Sequence, residues 1–282
     1  THGSIKTVRP LKDGVIADFN AAELMIRELM KMIYPKKPLF PPSWRMVICI
    51  PSSITEVEKR AVRDSAEQAG AKEVYMIHEP MAAALGIGID VEEPVGNMII
   101  DIGGGTTGIT VIALAGIVCD QSIRIAGDEF TADIMEALRR YHSLLIGERT
   151  AEQIKIHVGA ALKDLDNPPD DMPVNGRDLV TGIPKQIMVT YQEVAEALDK
   201  SIFKIEEAIL KALETTPPEL ASDIYRRGLY LTGGGALLRG LDKRLSQKIK
   251  LPVHVAEDPL KSVVRGTGIA LKNYQRFPFI MR

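Results

Sequence analysis

Two glycine clusters carry the residue types and spacing that could do chemistry. The first, Gly103-Gly104-Gly105-Thr106-Thr107-Gly108, matches G-x-G-x-x-G letter for letter. A dinucleotide fingerprint of that form opens a helix. Here the following Ile109-Thr110-Val111-Ile112 is β-branched and strand-forming, so the cluster reads as the loop of a hairpin. Such a turn brings backbone N–H groups up to an anion without Cβ obstruction, and Thr106 and Thr107 add hydroxyls, so it can hold phosphate. The competing reading is a hairpin whose glycines serve only its own backbone angles. Asp101 ends the preceding apolar strand, where a carboxylate is costly unless hydrogen-bonded or beside a cation. It is a candidate to hold hydrated Mg2+, or else it caps the turn.

The second cluster, Leu231-Thr232-Gly233-Gly234-Gly235-Ala236-Leu237-Leu238, ends a strand and stands directly before an expected helix. Free N–H groups at a helix terminus suit a nucleotide's phosphate or sugar, although a close strand-to-helix packing turn would also need glycine. No G-x-x-x-x-G-K-[ST] occurs, which disfavours the P-loop NTPases. His78-Glu79-Pro80 falls at a strand-to-helix junction. A carboxylate there usually meets the helix dipole, but beside phosphate Glu79 could orient an attacking water. His78 lacks partner spacing for a metal and reads as a packing residue.

These residues need elements to position them. Asn20 to Ile33 places Leu24, Met25, Leu29, Met32 and Ile33 at helical spacing, predicting a stripe that faces a core. A stretch with four prolines, YPKKPLFPPSW, then excludes both helix and central strand. Arg45 to Pro51 and Lys72 to Ile77 read as buried strands flanking a helix with a Thr55/Glu58 capping box and a Gly70 stop, and an alanine-rich helix follows from His78 to Gly86. This alternation predicts a mainly parallel sheet covered by helices. From Asn97 the pattern becomes an antiparallel meander reaching Ile125, then helices at Glu129 to Leu145 and Thr150 to Leu165. A hairpin with an Asn175-Gly176 turn comes next, and a Thr190/Glu193 capping box opens a long helix towards Glu214.

The 282 residues are enough for about two domains. Lys plus Arg is 35 against Asp plus Glu 37, a net charge of −2, so no basic excess points to nucleic acid. Cys49 and Cys119 lie in apolar runs and read as reduced, buried thiols. The most apolar stretch, Gly108 to Cys119, is half the length of a membrane-spanning helix, and the opening residues lack a signal-peptide pattern.

The order of motifs EPMAAALG, DIGGGTTG, AEQIK, LTGGGALLRGLD and RGTGIAL closely resembles the MreB family of bacterial actin-like rod-shape-determining proteins, within the actin, heat-shock chaperone and sugar-kinase ATPase superfamily. The opening IKTVRPLKDGVIADF is also similar to that family, so the resemblance covers practically the whole chain. It implies an α/β, actin-like (ribonuclease H-like) two-lobed ATPase fold that binds ATP with Mg2+. Asp101 would lie near the Mg2+, with water between. Gly103, Gly104, Gly105 and Thr106 would surround the β- and γ-phosphates, and Glu79 and Thr106 would position the hydrolytic water. Glu152 and Lys155 would face ribose and adenine, and Gly233, Gly234, Gly235 and Ala236 the nucleotide's other face. Leu39 and Phe40, beside Lys36 and Lys37, fall where the family carries a membrane-inserting loop; the bland reading is that they cover a core edge.

The resemblance further implies self-polymerisation into filaments on the inner face of the cell membrane, cytoplasmic and peripheral, with transmembrane cell-elongation proteins as partners. An actin-fold small-molecule kinase and a non-hydrolysing filament scaffold are the alternatives. The family's first phosphate hairpin, a D-L-G-T-type turn, has no counterpart in the sequence. The first lobe is therefore expected to be incomplete at its N-terminus, with ATP hydrolysis expected of the complete protein rather than of these residues. Expected boundaries are 1–93 for the remainder of the first lobe (subdomain IA, with the end of IB at 1–13), 94–129 with 194–262 for the second-lobe core (IIA), 130–193 for its small subdomain (IIB), and 263–282 for a helix and tail returning to the first lobe.

Overall fold

A computed structural model describes residues 8–12, 15–33 and 44–282. Leu39 and Phe40 lie outside the described residues. Two compact units divide the chain: the described residues up to Val91 with Lys261–Arg282, and Glu92–Leu260.

In the first unit, β1 (Leu11–Lys12) and β2 (Val15–Ile16) pair antiparallel and lead into α1 (Phe19–Ile33). The expected inward stripe is corrected here. Leu24, Leu29, Met32 and Ile33 are all at least half exposed, and Ala22 is the buried residue of α1. Met25 of the stripe is part-buried, and α1 makes contacts with the next helix in the chain. Next, β3 (Trp44–Ile50) stops at Pro51 and α2 (Glu56–Gln68) carries the chain to β4 (Ala71–His78), which pairs in parallel with β3. Both halves of the Thr55/Glu58 box form: Glu58 N–H donates to the Thr55 hydroxyl at 3.3 Å and Thr55 N–H donates to Glu58 Oε2 at 2.8 Å. Then α3 (Glu79–Gly86) starts without a loop, with Pro80 supplying a pre-set φ in its first turn.

In the second unit, β5 (Asn97–Ile102), β6 (Thr107–Ala113) and β7 (Gly116–Ile123) form the expected meander. After α4 (Gly127–His142) and β8 (Leu144–Leu145), α5 (Glu148–Val158) ends seven residues earlier than expected, because Gly159 turns the chain out of the helix. The hairpin of β9 (Met172–Asp178) and β10 (Pro184–Val189) exists, but Asn175-Gly176 lies inside β9. A Cβ at Gly176 would come within 2.7 Å of Leu145 O, so this glycine serves close strand packing and the turn forms further on. The second capping box opens α6 (Tyr191–Thr215), followed by α7 (Pro218–Arg227), which uses Pro218 as its start.

Finally β11 (Leu229–Thr232), a 3₁₀ turn at Gly234–Leu237, α8 (Leu241–Ile249) and β12 (Val253–Val255) complete a five-stranded mixed sheet of order β12-β11-β5-β6-β7. Ile100, Ile102, Ile109 and Val111 of that sheet share one buried core with Phe130 of α4, Ile205 of α6 and Leu241 of α8. The chain then returns to the first unit as α9 (Ser262–Lys272). There α9 crosses α3 at a separation only glycine allows: a Cβ at Gly86 would sit 1.8 Å from Ser262 O, and one at Gly266 1.7 Å from Ala82 O. The tail packs back too, Met281 exchanging backbone bonds of 2.9 and 2.8 Å with Met76 on β4.

Candidate functional site

The register of the mixed sheet builds the site. Because β11 runs parallel to β5 with Thr232 beside Asp101, the chain leaves both strands at the same edge, and both glycine turns open there. Ligands of α/β sheets gather outside such carboxyl strand ends.

The hairpin turn is closed by Gly103 N–H donating to Thr106 O at 3.0 Å. Two N–H groups that open α4 clasp it from behind, Gly127 to Gly103 O at 3.1 Å and Asp128 to Gly104 O at 2.7 Å. The expected pair of hydroxyls is reduced to one. Thr107 is fully buried and donates to Ile125 O at 2.6 Å, anchoring the turn, while Thr106 stays part-exposed. The glycines with left-handed φ do not include Gly103, Gly104 or Gly105, and a Cβ at exposed Gly104 would meet nothing within 4 Å. Neither backbone angle nor internal crowding demands glycine at position 104, so the turn-angle reading fails there.

The second turn differs from expectation as well. The glycines precede a 3₁₀ turn rather than an α-helix, α8 beginning only at Leu241. Gly233 has φ +80°, and a Cβ on it would lie 2.3 Å from Ile102 O and 2.5 Å from Asp101 Oδ1. Asp101 itself is part-buried, and burial pushes its carboxyl above the usual range. The Thr232 hydroxyl, donating to Oδ1 at 3.1 Å, opposes that shift. Among the described residues no group of three or more His, Cys, Asp or Glu could hold a metal ion. A single carboxylate does fit hydrated Mg2+, which keeps its waters and shares phosphate oxygens.

Lys155 on α5, with a side chain only 15% exposed, donates to Gly127 O at 2.8 Å and to Thr131 Oγ1 at 3.0 Å, and pairs with Glu152 at 2.7 Å. The structure thus brings Asp101, Gly103–Thr106, Glu152, Lys155 and Gly233–Ala236 together in one unit. Glu79, the first residue of α3, belongs to the other unit. Sequence reasoning missed Gly127 and Thr131, although a glycine at the start of a helix a few residues after a strand was a usable signal. Cys49 and Cys119 are not joined in a disulfide and are half-buried rather than buried as expected. No helix among the described residues is long and apolar enough to cross a membrane.

A mixed sheet with paired glycine turns at one edge and a crossed helix pair in the companion unit defines this protein as actin-like. The chain belongs to the MreB/Mbl family: a family model described as MreB/Mbl protein matches residues 1–278. It is 47% identical over 278 residues to the cell shape-determining protein Mbl of Bacillus subtilis, covering 99% of this chain and 82% of that one. Over 275 residues it is 48% identical to the cell shape-determining protein MreB of Escherichia coli, covering 96% and 78%. The crystal structure of MreB5 of Spiroplasma citri bound to ADP superimposes with a TM-score of 0.91 at 38% identity, covering 98% of this chain and 83% of that one.

Proposed function

We propose that this chain is an actin-like cytoskeletal protein that binds ATP with Mg2+, polymerises into filaments at the inner face of the cell membrane, and sets rod shape by guiding cell-wall synthesis. Its relatives are named for determining cell shape, and a related structure carries ADP. The observation that carries nucleotide binding is Gly104: an exposed glycine, unexplained by the chain's own packing, at a sheet edge shared with a desolvated carboxylate. In this reading Gly103–Thr106 take the β- and γ-phosphates, and Asp101 orients the hydrated Mg2+ that neutralises them. Glu152 and Lys155, with Gly233–Ala236, receive the nucleoside. Glu79 and Thr106 align the attacking water, and Leu39 and Phe40 touch the membrane. Within the second unit, residues 130–193 act as the small subdomain, with a three-stranded β8-β9-β10 sheet of its own.

Calorimetric titration of Mg·ATP into the chain tests this. Saturable binding is expected, weakened about tenfold or more in Gly104→Val, since a side chain there displaces the phosphate from its N–H donors. No binding by the unaltered chain, or equal binding by Gly104→Val, overturns the proposal. ATP-dependent pelleting, lost in the same variant, checks the coupling to assembly.

A further inference from the structure

Arg239 lies two residues beyond the 3₁₀ turn that ends at Leu237. Its Nη1 donates to Ile156 O at 3.2 Å and to Gly159 O at 3.4 Å, the carbonyls of the last turn and C-cap of α5. Carbonyls at a helix end have no partner within the helix, and a cation there also meets the negative end of its dipole. Backbone contacts run alongside: Ala161 N–H donates to Arg239 O at 2.8 Å, and Ala160 bridges Arg239 in parallel register. The bridge locates the segment after α5, and the guanidinium fixes the last turn of α5 itself.

Two links therefore tie α5 to the two glycine turns. Through Lys155 it reaches Gly127 O, and Gly127 N–H in turn holds Gly103 O. Through Ile156 and Gly159 it reaches Arg239, just past the second glycine turn, where Gly233 lies close against Asp101 and Ile102 and Gly235 against Ile102 at the end of β5. The contacts close into a ring around one sheet edge.

We infer that Arg239 is a positioning residue for the nucleotide site. By holding the last turn of α5 it sets where Glu152 and Lys155 meet the nucleoside. This rests on the nucleotide-binding reading above. Removing the guanidinium frees α5 to shift while Gly103–Thr106 remain in place, so the loss falls on the nucleoside and spares the phosphates.

The test is calorimetric titration of the full chain, unaltered and as Arg239→Ala and Arg239→Lys, with Mg·ATP and separately with Mg·pyrophosphate. Arg239→Ala is expected to weaken ATP binding about tenfold and to leave pyrophosphate within about twofold. Arg239→Lys, which keeps a cation for the carbonyls, is expected to recover most of the ATP affinity. Unchanged ATP binding in Arg239→Ala overturns the inference, and so does an equal fall for ATP and pyrophosphate, the mark of general loosening. If Arg239→Ala does not fold, Arg239→Gln carries the same comparison, and an unchanged ratio of the two affinities overturns the inference. Failure of the unaltered chain to bind ATP overturns the nucleotide-binding reading itself, and this inference with it.

Discussion

Gly233 and Gly104 sit in neighbouring turns at one sheet edge, yet a Cβ added to each would meet opposite surroundings. At Gly233 it would strike a backbone carbonyl at 2.3 Å, on a residue already at φ +80°. At Gly104 it would project into open space with no left-handed angle to maintain. Glycine at 233 serves the chain's own packing, whereas at 104 neither packing nor backbone angle calls for it. Identical triplets thus sit in different surroundings, and only the atoms around them tell which is which.

The comparison breaks most directly at Gly233. Gly233→Ala is expected to cost about 3 kcal/mol or more, from the clash together with the strained φ, read as a fall in the urea midpoint. An alanine tolerated there would remove the packing role. Asp101, wedged between the turns, comes next. Its folded carboxyl is raised by burial, so ionising it opposes folding: the cost is absent below the ordinary carboxylate range and grows as pH rises through the folded value. Asp101→Asn is therefore expected to stabilise the nucleotide-free chain at neutral pH, to make no difference at acid pH, and to weaken Mg·ATP binding. Denaturation curves across pH check the sign, and a variant less stable at pH 7 would contradict it.

Thr232→Val keeps the shape and removes the donor to Asp101, costing about 1 kcal/mol and pushing that carboxyl further up. Its loss should be larger at neutral than at acid pH, where the carboxyl needs no such donor. The smallest stability change is expected for Gly104→Val, within about 0.5 kcal/mol by urea titration despite its loss of nucleotide. A large destabilisation there would erase the distinction between the turns.

Much of both units was legible in the sequence because the signals are short-range. The capping boxes at Thr55 and Thr190 form as written, since their partners stand three residues away. The hairpin around Gly103–Thr106 follows from the β-branched run after Gly108, which forbids the helix that G-x-G-x-x-G would otherwise open. Reading failed where a distant contact outranked the local one. Asn175-Gly176 has turn chemistry, but Leu144 and Leu145 pack onto that glycine and hold it in a strand. Residues 159–165 had helical composition and lost it to the bridge between Ala160 and Arg239. The α1 stripe has helical period, and period alone does not say whether another element comes to cover it.

By itself the sequence determined which residues are available: two glycine turns at strand ends, a carboxylate before the first, a Glu152/Lys155 pair on one helical face, and the ordered motifs of an actin-like protein. Only the tertiary structure decided that Gly103 and Gly233, 130 positions apart, open at one edge, because that depends on β11 lying beside β5. It also turned the Thr107 hydroxyl inward and aimed Lys155 at Gly127. Periodicity and capping act over a few residues, whereas the pairing of distant strands is chosen by burying Ile100, Ile102 and Leu231 in one shared core.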